Sequence, residues 1–192
     1  MRSEVIFYLN GEKKKVSGEC VFEPLSSYIR YEAGLTGTKL VCEEGDCGAC
    51  TVLIGRPGPQ GLNYLAINSC IYALYQADAA HVVTVEGLAN SELHPVQEAM
   101  VACHGAQCGF CTPGFVMAMA GLCEQKRGER LSNEDLRRGL TGNLCRCTGY
   151  APIIEAGQSI DPARVPALSA LFGEAEMQPD LNALAKDGLH IT

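Results

Sequence analysis

The chain has 192 residues, enough for one or two domains but not for a large enzyme with its own substrate barrel. Hydrophobic residues make up 47% and charged residues 19%, so a core can be buried, disorder by composition is excluded, and no apolar run is long enough to span a bilayer. Fifteen basic residues against 22 acidic ones leave a net charge of −7, which offers no electrostatic footprint for nucleic acid or for an anionic membrane.

The first residues, MRSEVIFYLNGEKKK, place the apolar stretch before the lysines. A secretory signal has the reverse order, so the expected location is the cytoplasm. Residues 5–16 read as a β-hairpin at a sheet edge. Val5, Phe7 and Leu9 alternate with Ile6 and Tyr8, Asn10-Gly11 supplies the turn, and Lys13 to Val16 return. Pro24 opens a short helical pattern with Leu25, Tyr28 and Ile29 on one face, stopped by Gly34. Residues 34–50, with four glycines and three cysteines, read as a loop. A short strand follows over residues 51–54, then a surface loop over 55–61 (GRPGPQG), an apolar stretch over 64–75 that suits strand or helix, and a strand over 81–85.

Beyond Gly87 the pattern becomes helical. One helix begins at Pro95, with Val96, Ala99, Met100 and Cys103 at helical spacing, and another at Pro113, with Phe115, Val116, Met119 and Leu122. A third covers NEDLRRG, capped by Ser132 with Asp135 in the reciprocal position, and a fourth starts at Pro152 with Ile153, Ile154 and Ile160. The boundary between the β-rich and helical halves falls near residues 87–94. No repeat of solenoid period is present. Residues 162–192 carry three prolines and no cysteine and read as a linker or a wrapping tail.

The informative count is 11 cysteines. In a reducing compartment they would not persist as disulfides, and an odd number argues against a fully paired scaffold, which leaves metal or redox chemistry. Cys42, Cys47 and Cys50 form C-x4-C-x2-C with Cys70 downstream, the plant-type ferredoxin spacing for a [2Fe–2S] cluster. A tight loop must wrap such a cluster and deliver three sulfurs from one side. Gly45 and Gly48 permit the backbone angles, Ala49 keeps bulk away, and the fourth ligand closes the loop from a separate segment. Structural zinc also takes four cysteines, but as two close pairs. Cys108 and Cys111 form C-x2-C, and Cys145 and Cys147 form C-x-C, both at predicted helix ends. By spacing alone this second set suits either a cluster or a four-cysteine zinc site. Of the remaining thiols, Cys103 and Cys123 lie in apolar helical patterns and read as buried and inert, leaving Cys20. His81, His94, His104 and His190 are scattered and read as surface or capping residues; Arg146, between two cysteines, is a candidate counter-charge.

The segments CEEGDCGACTV (42–52), QCGFCTPGFVM (107–117) and TGNLCRCTGY (141–150) resemble the iron–sulfur module of the molybdenum hydroxylases, the xanthine dehydrogenase and aldehyde oxidase family. The likeness runs from residue 4 to about residue 160. It implies an α+β fold, with a plant-type ferredoxin-like β-grasp domain over residues 1–88, a four-helix-bundle [2Fe–2S] domain over 89–161, and the tail over 162–192. It implies that Cys108, Cys111, Cys145 and Cys147 hold a second [2Fe–2S] cluster beside the molybdopterin-type cofactor of a large subunit. The Cys42, Cys47, Cys50 and Cys70 cluster would face FAD in a partner subunit or domain. Gln107 matches the family glutamine that hydrogen-bonds the pterin, a task for which an amide with donor and acceptor is suited.

The run LHPVQEAM…HGAQCGFCTPGFVM, with EGDCGACTV and the long Cys50–Cys70 interval, looks most like the xanthine dehydrogenase branch. The implied role is electron transfer, with no catalytic residue in this chain. Substrate would be oxidised at molybdenum, and electrons would leave singly through the second cysteine set, the first set and the flavin to NAD or another acceptor. The implied assembly is a dimer of heterotrimers. Aldehyde, carbon monoxide and N-heterocycle oxidoreductases of the same family are the alternatives. Many such enzymes fuse this module to a flavin domain, so that domain is expected either as a separate subunit or in a longer chain of which this is a piece.

Overall fold

The computed structural model describes residues 2–89 and 91–191. Strands β1 (Val5–Leu9) and β2 (Glu12–Val16) form the expected hairpin, with Asn10 and Gly11 at φ 50° and 84° as a tight two-residue turn demands. Strands β3 (Thr51–Gly58) and β4 (Gly61–Asn68) form a second hairpin, and β5 (His81–Val83) completes one sheet in the order β2-β1-β5-β3-β4. β5 runs parallel to β1 and antiparallel to β3. At one edge, β2 carries Lys13, Lys14 and Lys15, charges that discourage edge-to-edge pairing.

The segment expected as a surface loop over residues 55–61 is instead mostly strand. Gly55, Arg56 and Pro57 pair with Tyr64, Asn63 and Leu62. Pairing with β5 stops after Gly55, opposite His81, so β3 has a free side at Pro57, where a proline is tolerated. Hairpin pairing has overridden the local preference of Gly-Arg-Pro-Gly.

Side chains alternate across the sheet. Val52 and Val82 join Phe7, Leu9, Leu25, Ile29 and Leu74 in one core, while Leu53 and Val83 point into the other. Two-sided burial explains why the central strands read as unbroken apolar runs. The first core is covered by α1 (Leu25–Ser27) and the π turn Tyr28–Glu32 that continues it. The second is built by the short α2 (Val85–Leu88) with α3 (Pro95–Ala102), α4 (Thr112–Gln125), α5 (Asn133–Gly139) and α6 (Ala151–Ser159). α4 lies on β3 and β4. α3 and α5 each contact both α4 and α6. Ser132 and Asp135 form the expected reciprocal cap of α5, the Asp135 amide donating to Ser132 Oγ at 3.1 Å.

Two more helices, α7 (Leu168–Phe172) and α8 (Glu174–Lys186), fold back over the sheet. Asp180 accepts from Tyr8 Oη at 2.8 Å and pairs with Lys13 at 2.7 Å, and Glu174 accepts the Leu62 amide at 2.5 Å. The chain end reaches the N-terminus, where the Arg2 amide donates to the Gly188 carbonyl at 3.0 Å. Among the described residues no helix is long and apolar enough to cross a membrane.

His94 is a cap, its Nδ1 accepting the Val96 amide at 3.3 Å. His81 departs from its surface reading, being fully buried in the central strand β5. The Gly11 amide donates to its Nε2 at 3.1 Å, so the proton sits on Nδ1, 2.7 Å from the Tyr64 hydroxyl. Burial pushes His81 down to about 3 and His94 down to about 4. The unfolded imidazoles, at about 6.5, therefore take up protons that the folded ones refuse. Their contribution to stability is complete above that value and is lost as pH falls towards the folded values. At pH 5 each costs about 2 kcal/mol. The melting temperature is expected to drop steadily from pH 7 to pH 5, and His81→Gln is expected to flatten that slope; equal slopes in parent and variant would refute this.

Candidate metal centres

The first cysteine set is built on an irregular loop. Glu43, Gly45 and Gly48 adopt φ of 59°, 80° and 69°, turning the chain around a common centre. Backbone amides converge on the Cys42 sulfur, and the Cys47 N–H donates to it at 3.4 Å. The amides of Glu44, Cys47 and Asp46, Glu44 first, hold Cys42 down to about 6. Such a nest of N–H groups is a place for a thiolate. Burial raises the neighbouring Cys47.

Cys50 and Cys70 are both buried, at the start of β3 and just after β4. The Ser69 hydroxyl donates to the Cys50 carbonyl at 2.6 Å, and Asn68 Nδ2 to the Gly45 carbonyl at 2.6 Å, which ties the fourth cysteine to the loop. Burial pushes Cys70 up to about 12, with the Cys50 thiol against it adding to the shift. The thiols of this set act on one another, Cys42 on Cys47, and Cys50 and Cys42 on Cys70.

The second set lies where α4 begins. Cys111 is the residue preceding α4, Cys108 is exposed just before it, and Cys145 and Cys147 come from the segment leading into α6. Burial pushes Cys111 up to about 12, followed by contact with the Cys145 thiol. For Cys145, burial opposes ionisation, but the Thr148 hydroxyl, 3.1 Å from its sulfur, and the Thr148 amide outweigh it and lower the thiol. Contact with the Cys108 thiol raises Cys147. The thiols of this set act on one another, Cys145 and Cys108 on Cys111, and Cys108 and Cys145 on Cys147.

A zinc site gathers four sulfurs around one ion, whereas a diiron cluster takes two thiolates on each iron. A loop that delivers three cysteines, with a fourth from a separate segment, fits the second arrangement.

The sets are joined backbone to backbone. The Leu144 amide donates to the Cys47 carbonyl at 3.0 Å, and buried Asn143 donates from Nδ2 to the Gly48 carbonyl at 2.9 Å and to Thr51 Oγ1 at 3.2 Å. Sequence reasoning missed Asn143, although its place two residues before Cys145 in TGNLCRC was a usable signal. Gln107 is exposed beside Cys108, and Arg146 is exposed between Cys145 and Cys147. Cys123 is buried, its thiol pushed up to about 11 by that burial. Cys103 is only half-buried, its sulfur 3.7 Å from Ser159 Oγ, because it sits at the end of α3 and not inside it.

A mixed sheet, a helical unit and two sets of four cysteines fit an iron–sulfur module. A family model described as "[2Fe-2S] binding domain" matches residues 84–158. Xanthine dehydrogenase 1 of Arabidopsis thaliana is 44% identical over 159 residues, 80% of this chain and 12% of that one. Aldehyde oxidase 4 of Cavia porcellus is 41% identical over 160 residues, 81% of this chain and 12% of that one. Among solved structures, quinoline 2-oxidoreductase from Pseudomonas putida 86 superposes with TM-score 0.72 at 33% identity, covering 89% of this chain and 97% of that one. The chain belongs to the molybdenum hydroxylase family, as one of its iron–sulfur modules. It spans about 12% of the length of the curated relatives it matches.

Proposed function

We propose that this chain is the electron-transfer module of a molybdenum hydroxylase of the xanthine dehydrogenase type, carrying single electrons from the molybdopterin centre of a large subunit to FAD in a partner subunit or domain. The observation that carries this reading is the direct joining of the two cysteine-bearing loops in a chain of this family. The Leu144 amide donates to the Cys47 carbonyl at 3.0 Å and Asn143 Nδ2 to the Gly48 carbonyl at 2.9 Å.

Cys42, Cys47, Cys50 and Cys70 would hold one [2Fe–2S] cluster, and Cys108, Cys111, Cys145 and Cys147 the other. When bound, each cluster accepts and releases one electron with little change of shape. The chain's own residues do the rest. The amides of Glu44, Asp46 and Cys47 hold negative charge at the Cys42 sulfur, and Thr148 does so at Cys145. Asn143 and Leu144 keep the two loops in contact. Exposed Cys108 and Cys147 turn the second set towards the large subunit, with Gln107 beside them to meet the pterin. In this reading residues 1–88 are the ferredoxin-like β-grasp domain, 89–161 the helical domain and 162–192 the tail. The assembly is a cytoplasmic dimer of heterotrimers. Xanthine or hypoxanthine is the first-choice substrate of the whole enzyme, ahead of aldehydes, carbon monoxide and N-heterocycles.

The test is metal and sulfide analysis of the native complex, with visible and paramagnetic resonance spectra after reduction. About four irons and about four sulfides per chain are expected, with two distinct signals on reduction. Zinc in place of iron, in a colourless protein, would overturn the reading. A substrate panel on the complex then separates xanthine dehydrogenase from its relatives.

A further inference from the structure

The segment between Cys145 and α6 closes on itself through three polar contacts. The Cys145 amide donates to Tyr150 Oη at 3.1 Å, and the Tyr150 amide donates to Thr148 Oγ1 at 3.2 Å. Thr148 Oγ1 in turn lies 3.1 Å from Cys145 Sγ. A threonine hydroxyl carries one proton and two lone pairs. The Tyr150 amide occupies a lone pair, which leaves the proton for the sulfur, and a ligating thiolate accepts it. This ring is held in a backbone that a tyrosine resists. Gly149 and Tyr150 stand at φ 66° and 69°. Glycine enters that region freely, whereas a bulky side chain there is an outlier. The Tyr150 ring packs against Phe115 in a T-shaped arrangement, centroids 6.3 Å apart, and its hydroxyl holds the Cys145 amide. Such strain persists where the surroundings over-determine it, as they do at functional sites.

We propose that Thr148 sets the reduction potential of the cluster on Cys108, Cys111, Cys145 and Cys147 by donating to the Cys145 sulfur, and that Tyr150 is the residue that aims it. This rests on the two-cluster reading above. Reduction adds negative charge that the ligand sulfurs share, so a donor favours the reduced form and raises the potential. The two cysteine sets differ in the donor they use. At Cys42 it is a backbone amide, that of Cys47, which no substitution of a side chain deletes. At Cys145 a side chain takes part, so one residue governs the potential. Tyr150 acts on Thr148 in two ways. Its amide orients the hydroxyl, and its phenol anchors the other end of the loop at Cys145.

The experiment is a redox titration of the native complex, following each cluster's paramagnetic signal. The signal that Cys111→Ser abolishes identifies the second cluster. Thr148→Val is expected to lower that cluster's potential by about 59 mV, tenfold in a one-electron equilibrium, and to leave the other in place. Thr148→Ser, which keeps the hydroxyl, is expected to titrate like the parent. Tyr150→Phe keeps the ring and the amide but lacks the phenol anchor. It is expected to lower the same potential by less, and to add nothing in the Thr148→Val background. Thr148→Val with full iron and an unchanged potential overturns the proposal, as does Thr148→Ser titrating like Thr148→Val. A Tyr150→Phe shift of undiminished size in the Thr148→Val background overturns the positioning role. Where Thr148→Val fails to assemble, Thr148→Ala takes its place in each comparison. Absence of iron from the parent complex would instead defeat the two-cluster reading itself.

Discussion

A Cys111→Ser protein is expected to hold about half of the parent's iron, falling from about four atoms per chain to about two, and to lose one of two paramagnetic signals. Cys111 ends the loop before α4, and its thiol faces Cys145 from the segment entering α6. One cluster bridging these residues would therefore staple the first turn of α4 to the start of α6. α4 contributes Phe115, Val116, Met117 and Met119 to the helical core, so loosening its beginning disturbs packing as well as ligation. Metal binding that requires the folded arrangement is itself folding free energy, and its loss lowers solubility along with electron transfer. The signal of the Cys42, Cys47, Cys50 and Cys70 set should persist, since those thiols act on one another. In stopped-flow experiments on the complex, substrate should still reduce the large subunit while the flavin stays oxidised. A normally folded variant with its full complement of iron would remove Cys111 from the ligand set.

Gly48→Ala is the second large effect. Gly48 has φ of +69°, and a Cβ there would collide with the Gly142 carbonyl and the Asn143 side chain. The left-handed backbone costs an alanine about 1–2 kcal/mol, and overpacking in a tight site about 1–3 kcal/mol more. The added methyl also pushes on the seam between the two cysteine sets, where the Gly48 carbonyl accepts from Asn143 and the Cys47 carbonyl from Leu144. A total of about 2–5 kcal/mol lowers the melting temperature by about 10 °C in a chain of this size. Gly142→Ala is the control. It lies in the facing segment, yet a Cβ there has no neighbour within 4 Å. Melting of Gly48→Ala within about 2 °C of the parent would show that the seam yields without strain.

Much of this molecule was legible in one dimension, and the failures have physical causes. The Asn10-Gly11 hairpin and the Ser132–Asp135 cap were readable because each is made by residues within a few positions of one another. Gly-Arg-Pro-Gly at residues 55–58 was misread because strand pairing with residues 61–64 outweighs its turn chemistry. His81 was misread because a lone histidine carries no local mark of burial; its environment comes from Gly11, Tyr64 and Phe172, the last at 4.7 Å between ring centroids.

Spacing along the chain was sufficient to sort the eight cysteines into two groups and to separate a β-rich half from a helical one, since ligand loops, caps and turns are short-range objects. The contact of Asn143 and Leu144 with the loop of Cys47 and Gly48, the parallel insertion of β5 beside β1, and the burial of His81 between Gly11 and Tyr64 emerged only on folding. Each depends on segments distant in sequence being brought together by burial of the two cores on opposite faces of one sheet, and no local propensity encodes such a meeting.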